Sequence, residues 1–143
     1  MSDYILPEVW ENPTSMGGAW GGLNQPTAGA RFEQTLPKGD QPFQLYTLPT
    51  PNGIKATIML EELKELGVTQ AGYDAYRIKI GDGDQFGSDF VSINPNSKIP
   101  AMMDYSEDQP VRVFESANIL LYLAEKFGKL IPTDHAKRTA VLN

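Results

Sequence analysis

The order of hydrophobic periods between Phe43 and Ile80 constrains the fold more than any other feature of the chain. The period changes from two to about 3.6 and back to two. Phe43-Gln44-Leu45-Tyr46-Thr47-Leu48 alternates and stops at Pro49, as a strand does. Thr50-Pro51-Asn52-Gly53 follows with strong turn chemistry. From Ile54 to Leu66, one side carries Ile54, Ile58, Met59, Leu63 and Leu66, and the other carries Lys55, Glu61, Glu62, Lys64 and Glu65. With Gly67 just beyond, this predicts an amphipathic helix with a glycine C-cap. Tyr73 to Ile80 then returns to alternation, a second strand. A strand–helix–strand unit implies a right-handed crossover between parallel strands.

Gly81-Asp82-Gly83-Asp84 breaks the second strand, Phe86 to Ile93 predicts a short helix, and Asn94-Pro95-Asn96-Ser97 predicts a turn. A third strand runs from Ala101 to Tyr105, directly after Pro100, and Ser106 to Pro110 turns the chain into a fourth, Val111 to Phe114. So short a connection makes that pair an antiparallel hairpin. Ser116 to Phe127 repeats the helical period through Ile119, Leu120, Leu123 and Phe127. The predicted class is α/β, a βαβ unit followed by ββα, with a mixed four-stranded sheet and helices on both faces. Residues 1–42 differ. They are rich in Gly, Pro, Asn and Thr, with Tyr4, Trp10, Trp20 and Phe32 too far apart to form an element, and they read as an extended arm. Disordered tracts are poor in aromatics, so this arm is expected to lie against its own domain or a partner subunit.

Composition narrows the function. The net charge is -6 and no Lys/Arg cluster stands out, which argues against nucleic acid. No apolar run approaches the roughly 20 residues that cross a bilayer, and MSDYILPEVWENP lacks the pattern of a signal peptide. Without cysteine there is no disulfide framework, thiolate metal site or Cys nucleophile, and a cytoplasmic location is expected. Asp82, Asp84 and Asp89 lack the spacing and closing Glu of a calcium loop, so a solvated turn and no metal are expected. His135 has no Ser or Cys partner pattern and reads as a surface residue, while Tyr46, inside the first strand, reads as core rather than a catalytic phenol.

Three segments carry chemistry. The loop through Thr50 and Asn52 feeds the N-terminus of the first long helix, whose free N–H groups favour an anion or thiolate, with a hydroxyl and an amide as further donors. A plain helix start explains the same residues. Lys98-Ile99-Pro100-Ala101 places an X-Pro bond before a strand. A cis bond would expose the preceding backbone to a peptide ligand, and a trans one, far commoner in folded proteins, is allowed there too. At Phe114-Glu115-Ser116, Ser116 suits an N-cap and the helix terminus suits a carboxylate, while Glu115 suits an ammonium group. Together they would recognise an α-amino acid end, and simple capping is the alternative.

In this order and spacing, TPNGIKATIMLEEL, NPNSKIPAM and RVFESANILLYLAEKFG resemble the glutathione-binding segments of the nu-class, disulfide-reductase type of bacterial glutathione transferase, and GDGDQF and GGLNQP extend the match. The resemblance implies a thioredoxin-like, glutathione-binding domain over residues 43–129. It implies that Glu115 and Ser116 hold the γ-glutamyl end of glutathione and that Ile99, before a cis Pro100, pairs with its cysteinyl backbone. Thr50, Asn52 and Asn24 would sit by the sulfur, with Gln85 and Lys98 as weaker ligand contacts. Two glutathione molecules or one glutathione disulfide per site, reduction of small disulfides, a homodimer and no cofactor beyond glutathione are further implications. Such chemistry is coherent without cysteine, because the substrate's own thiol is the nucleophile and the protein need only favour its thiolate. Residues 130–143 resemble a linker and the first turns of an all-helical second domain, so the chain is expected to be the N-terminal half of such a protein. The alternative is a non-catalytic thioredoxin-like module that binds glutathione or a protein.

Overall fold

The computed structural model describes residues 5–9, 21–24 and 29–143, with Asn24 described by its backbone alone; Tyr4, Trp10 and Trp20 of the arm lie outside the described residues. The strands are β1 (Phe43–Thr47), β2 (Tyr73–Arg77), β3 (Ala101–Asp104) and β4 (Val111–Phe114). The helices are α1 (Gly53–Glu65), α2 (Ser88–Ile93), α3 (Ser116–Phe127) and α4 (His135–Leu142). The sheet order is β2-β1-β3-β4. β1 is parallel to β2 and antiparallel to β3, and β3 and β4 form the antiparallel hairpin. The predicted βαβ-ββα arrangement is therefore the one observed.

Alternation along β1 builds two cores, because successive strand residues face opposite sides. Phe43 and Leu45 join Met102, Val113, Ala56, Leu60, Leu63, Ile119 and Leu123 beneath α1 and α3. Tyr46 joins Ala101, Ile78, Phe90 and Ile93 on the other face, beneath α2. Each such large apolar side chain contributes about 1.5–3 kcal/mol by leaving water.

α1 is rotated from the face its periodicity suggested. Ile54, Ile58 and Leu66 are 45%, 55% and 50% exposed, whereas Ala56, Met59, Leu60 and Leu63 are buried. The buried set has the i, i+3, i+4, i+7 spacing of a helix stripe, and small Ala56 lets the helix approach the sheet. Two other boundaries move. β2 ends at Arg77 rather than Ile80, because the Ile80 N–H turns back to the Ile78 carbonyl (3.1 Å) and the Asp82 N–H to that of Lys79 (2.9 Å). The helix expected over Phe86 to Ile93 is divided into a 3-10 turn, Asp84–Phe86, and α2, with extended Gly87 between them.

The arm explains that division. Residues 31–41 run along this domain: the Arg31 N–H donates to the Phe86 carbonyl (2.8 Å), and the Ser88 N–H donates to the Phe32 carbonyl (2.9 Å). The Arg31 guanidinium lies 3.5 Å from the centre of the Phe86 ring. Leu36 N–H donates to Asp89 (2.8 Å), and Lys79 N–H donates to Asp84 (2.9 Å). Those carboxylates hold backbone, and among the described residues no group of three or more His, Cys, Asp or Glu could hold a metal ion. Among them, too, no helix is long and apolar enough to cross a membrane.

Candidate functional site

The sheet register assembles the site. Tyr46, near the end of β1, pairs with Ala101, the first residue of β3, and Ala101 pairs with Phe114, the last residue of β4. Hence the loop leaving β1, the turn entering β3 and the residues leaving β4 all lie at one end of the sheet. These are the three segments that carried chemistry in the sequence.

The first loop is built around a close approach. Gly53, the first residue of α1, stands against the end of β1 so tightly that a Cβ there would lie 2.0 Å from the Leu48 carbonyl oxygen and 2.6 Å from Thr47 Oγ1. Only glycine leaves that space open. Thr50 Oγ1 accepts the Gly53 N–H (3.1 Å), and the Thr50 carbonyl accepts the Ile54 N–H (3.0 Å). Asn52 occupies the N-cap position without a side-chain capping bond, and its Oδ1 accepts from Lys55 Nζ at 3.0 Å. A hydroxyl that accepts a backbone N–H keeps its own proton to donate, and an amide whose oxygen is engaged keeps its two N–H groups. Both side chains therefore remain donors beside the N-terminus of α1.

The second segment carries a cis Ile99–Pro100 bond. Fully buried Asn94 braces it: its Nδ2 donates to the Lys98 carbonyl (2.6 Å), its Oδ1 accepts the Asn96 N–H (2.9 Å), and its carbonyl accepts the Ser97 N–H (3.0 Å). Ser97 takes the left-handed region at φ 52, and its buried hydroxyl has no hydrogen-bond partner. Asn94 was missed as a positioning residue. An Asn ahead of Pro in a turn was its only signal, and nothing local distinguishes a buried brace from an exposed turn residue.

The third segment differs from its expected form. Ser116 does not cap α3; it is the first helical residue, and Glu115 takes the N-cap position at φ 69 and ψ 123 without a side-chain capping bond. The reason is geometric. β4 runs almost directly into the helix, and one residue must absorb the whole change of direction. Glu115 is exposed, and its carboxylate accepts a long bond from Asn96 Nδ2 (3.4 Å).

Lys98 is exposed and its Nζ donates to the carbonyl of Leu23 (3.2 Å), in the 3-10 turn Gly21–Asn24 of the arm. The side chain of Asn24 lies outside the described residues. Gln85 is 2% exposed, and its Oε1 has no hydrogen-bond partner. Tyr46 is core, as expected: burial, then the neighbouring Tyr105, Tyr76 and Asp89, push its phenol up to about 12, and its hydroxyl donates to the Pro37 carbonyl (2.9 Å). His135 is exposed at the start of α4.

Two of the hollows among the described residues adjoin the helices. One, of about 330 Å³, is lined by Thr47, Leu48, Pro49, Ile54, Thr57 and Ile58, against the Thr50 loop. The other, of about 320 Å³, lies among α1, α3 and α4 and includes Met59, Leu120, Ala124, Ile131 and Leu142. It contains none of the candidate residues.

A β2-β1-β3-β4 sheet, with α1 and α3 on one face, α2 on the other and a cis proline entering β3, is a thioredoxin-like fold. Residues 51–126 match the family described as glutathione S-transferase, N-terminal domain, and the chain belongs to that family. It is 60% identical over 140 residues to disulfide-bond oxidoreductase YghU of Escherichia coli, covering 98% of this chain and 49% of the relative. The crystal structure of glutathione transferase YghU from Streptococcus pneumoniae, complexed with glutathione, superposes with a TM-score of 0.90 at 65% identity, over 98% of this chain and 54% of that one. A glutathione transferase from Pseudomonas putida, with one glutathione disulfide bound per subunit, gives 0.64 at 43% identity, over 71% and 43%. The chain thus spans about half the length of the relatives it matches.

Proposed function

We propose that this chain is the glutathione-binding half of a glutathione-dependent disulfide reductase. The observation that carries the reading is the register that gathers the Thr50 loop, the cis Ile99–Pro100 turn and Glu115 at one end of the sheet. Similarity to YghU, a disulfide-bond oxidoreductase, and to structures holding glutathione or its disulfide supports it.

In this reading the α-ammonium of glutathione meets the exposed Glu115 carboxylate, and the α-carboxylate meets the N-terminus of α3 at Ser116. The backbone of Ile99 pairs with the cysteinyl residue. Thr50, Asn52 and Asn24 donate to the sulfur, and with the dipole of α1 they favour thiolate over thiol. The thiolate attacks one sulfur of a disulfide RSSR, forming a mixed disulfide and expelling the other half as RS⁻. A second glutathione thiolate attacks the mixed disulfide, giving glutathione disulfide and the second RS⁻. Two electrons pass from two glutathiones to the substrate, and the two thiolates released take up the two protons. The apolar hollow beside Thr50 suits the organic part of a small disulfide. Gln85, whose buried Oε1 has no hydrogen-bond partner, is a further ligand contact in this reading, a homodimer is the working assembly, and the cytoplasm, with its reduced glutathione pool, is the compartment.

Calorimetric titration with reduced and oxidised glutathione, followed by a disulfide-reduction assay on the same sample, tests this. Binding with turnover supports a reductase. Binding without turnover supports a glutathione half-site whose chemistry needs more than these residues, or the non-catalytic module, and no binding by folded protein removes the reductase reading and leaves only a protein-binding module.

A further inference from the structure

We propose that Lys98 is a positioning residue: its ammonium latches the arm turn Gly21–Asn24 over the end of the sheet and so delivers Asn24 to the sulfur of glutathione. This rests on the proposed function for its catalytic consequence and on geometry alone for the latch.

Lys98 has a fixed base. Its carbonyl is held by buried Asn94 at 2.6 Å, and the left-handed Ser97 precedes it. From that base the side chain reaches the Leu23 carbonyl at 3.2 Å, a bond between residues 75 apart in sequence. Its partner lies in the four-residue 3-10 turn of the arm. A four-residue 3-10 turn closes too few hydrogen bonds to hold its own place. Leu23 is only half-buried, while Gly21 is buried. An ammonium is a strong donor to a carbonyl, and it acts here on the residue immediately before Asn24. Lys98 also lies next to Ile99, so the latch ties the arm to the segment expected to pair with the peptide backbone. It raises the local concentration of Asn24 at the thiol without itself touching sulfur.

The chain offers a direct reporter. Its two tryptophans, Trp10 and Trp20, are both in the arm, and Trp20 immediately precedes Gly21. In a Trp10→Phe background, Lys98→Gln is expected to raise acrylamide quenching of Trp20 at least about twofold without glutathione present, and Lys98→Arg to leave it unchanged. Lys98 is exposed, and circular dichroism checks that the variants fold. In the disulfide-reduction assay, Lys98→Gln lowers kcat about tenfold, as loss of one charge-assisted bond does, with KM for glutathione changed less than twofold. Combined with Asn24→Ala it causes no further loss, because the two act as a unit. Unchanged quenching in Lys98→Gln overturns the latch whatever the enzyme does. A rise in KM that adds to the Asn24→Ala effect also overturns it, making Lys98 a direct ligand contact. Glutathione titration of the parent chain fails or succeeds separately and bears only on the proposed function.

Discussion

Ala101 pairs with Phe114 across the β3–β4 ladder, and that pairing sets the Ile99–Pro100 turn beside Glu115. Because Ala101 also pairs with Tyr46, the Thr50 loop comes to the same end. The site is thus a property of register. A slip of one residue would send every side chain of β3 to the opposite face and separate the segments.

Glu115 combines strain with proposed function. A non-glycine residue at φ 69 costs on the order of 1–3 kcal/mol. Glu115→Gly is therefore expected to leave the fold at least as stable in urea while glutathione binding weakens roughly 10- to 100-fold, the loss of a charged hydrogen-bond partner. Glu115→Gln should weaken binding comparably without the gain in stability. Calorimetry and denaturation on the same samples decide it. Full affinity in both variants would show that the ammonium binds elsewhere.

Gly53 should tolerate no side chain. A Cβ at 2.0 Å from the Leu48 carbonyl oxygen meets backbone at the end of β1, which cannot step aside as a flexible side chain could. Gly53→Ala is expected to cost about 3 kcal/mol, toward the large end of single substitutions, although alanine is the better helix former. A thermal melt within a degree of the parent would contradict the close approach.

Thr50 and Asn52 should separate by their structural roles. Thr50→Ala removes the acceptor of the Gly53 N–H and is expected to cost about 1 kcal/mol, with Thr50→Ser retaining most of the bond. Asn52→Ala should change stability little, since that side chain caps nothing. Both alanine variants are expected to keep glutathione binding and to lower turnover at least about tenfold. Full turnover in both would remove them from the sulfur site.

Asp104, at the opposite end of β3, should govern the acid limb of stability. It is fully buried and accepts from Tyr122 (2.6 Å), from the Ser106 hydroxyl and N–H (2.7 Å each) and from Lys126 (3.0 Å). Burial raises its carboxyl pKa, but these donors outweigh burial and hold it below the ordinary value. Its contribution is therefore whole above the unfolded value of about 4 and lost as pH falls through the lower folded value. Asp104→Asn is expected to cost about 3 kcal/mol at neutral pH and to flatten the acid decline. Urea midpoints of both proteins from neutral to strongly acid pH make the comparison, and parallel curves would refute it.

Tyr46→Phe should spare turnover, because the phenol, buried and pushed up to about 12, stays neutral at physiological pH and donates to Pro37. Its loss is expected to cost about 1 kcal/mol. The stability it adds is whole below the unfolded value of about 10 and declines as pH rises through about 12, so the variant should show a shallower alkaline decline. An absorbance titration of tyrosinate alongside denaturation reads both.

Local patterning determined the element order, because periodicity and the punctuation of Pro49, Gly67, Gly81 and Pro100 are written into adjacent residues. It also placed Thr50, Ile99, Glu115 and Ser116 at the ends of elements, where backbone groups stay free. Which flank of α1 would be buried was not legible. Ile54 and Ala56 compete for the sheet, and only packing shows that the small residue wins by permitting closer approach. Nor could the sequence divide the Phe86–Ile93 helix at Gly87, because the cause is arm residues more than 50 positions away, as the Ser88–Gln34 and Asp89–Leu36 bonds record. Asn94 as a brace, Glu115 as the strained cap and Lys98 as the hold on Leu23 are likewise tertiary facts. Each depends on a backbone group brought within about 3 Å by the fold, and hydrogen bonds act only at that range.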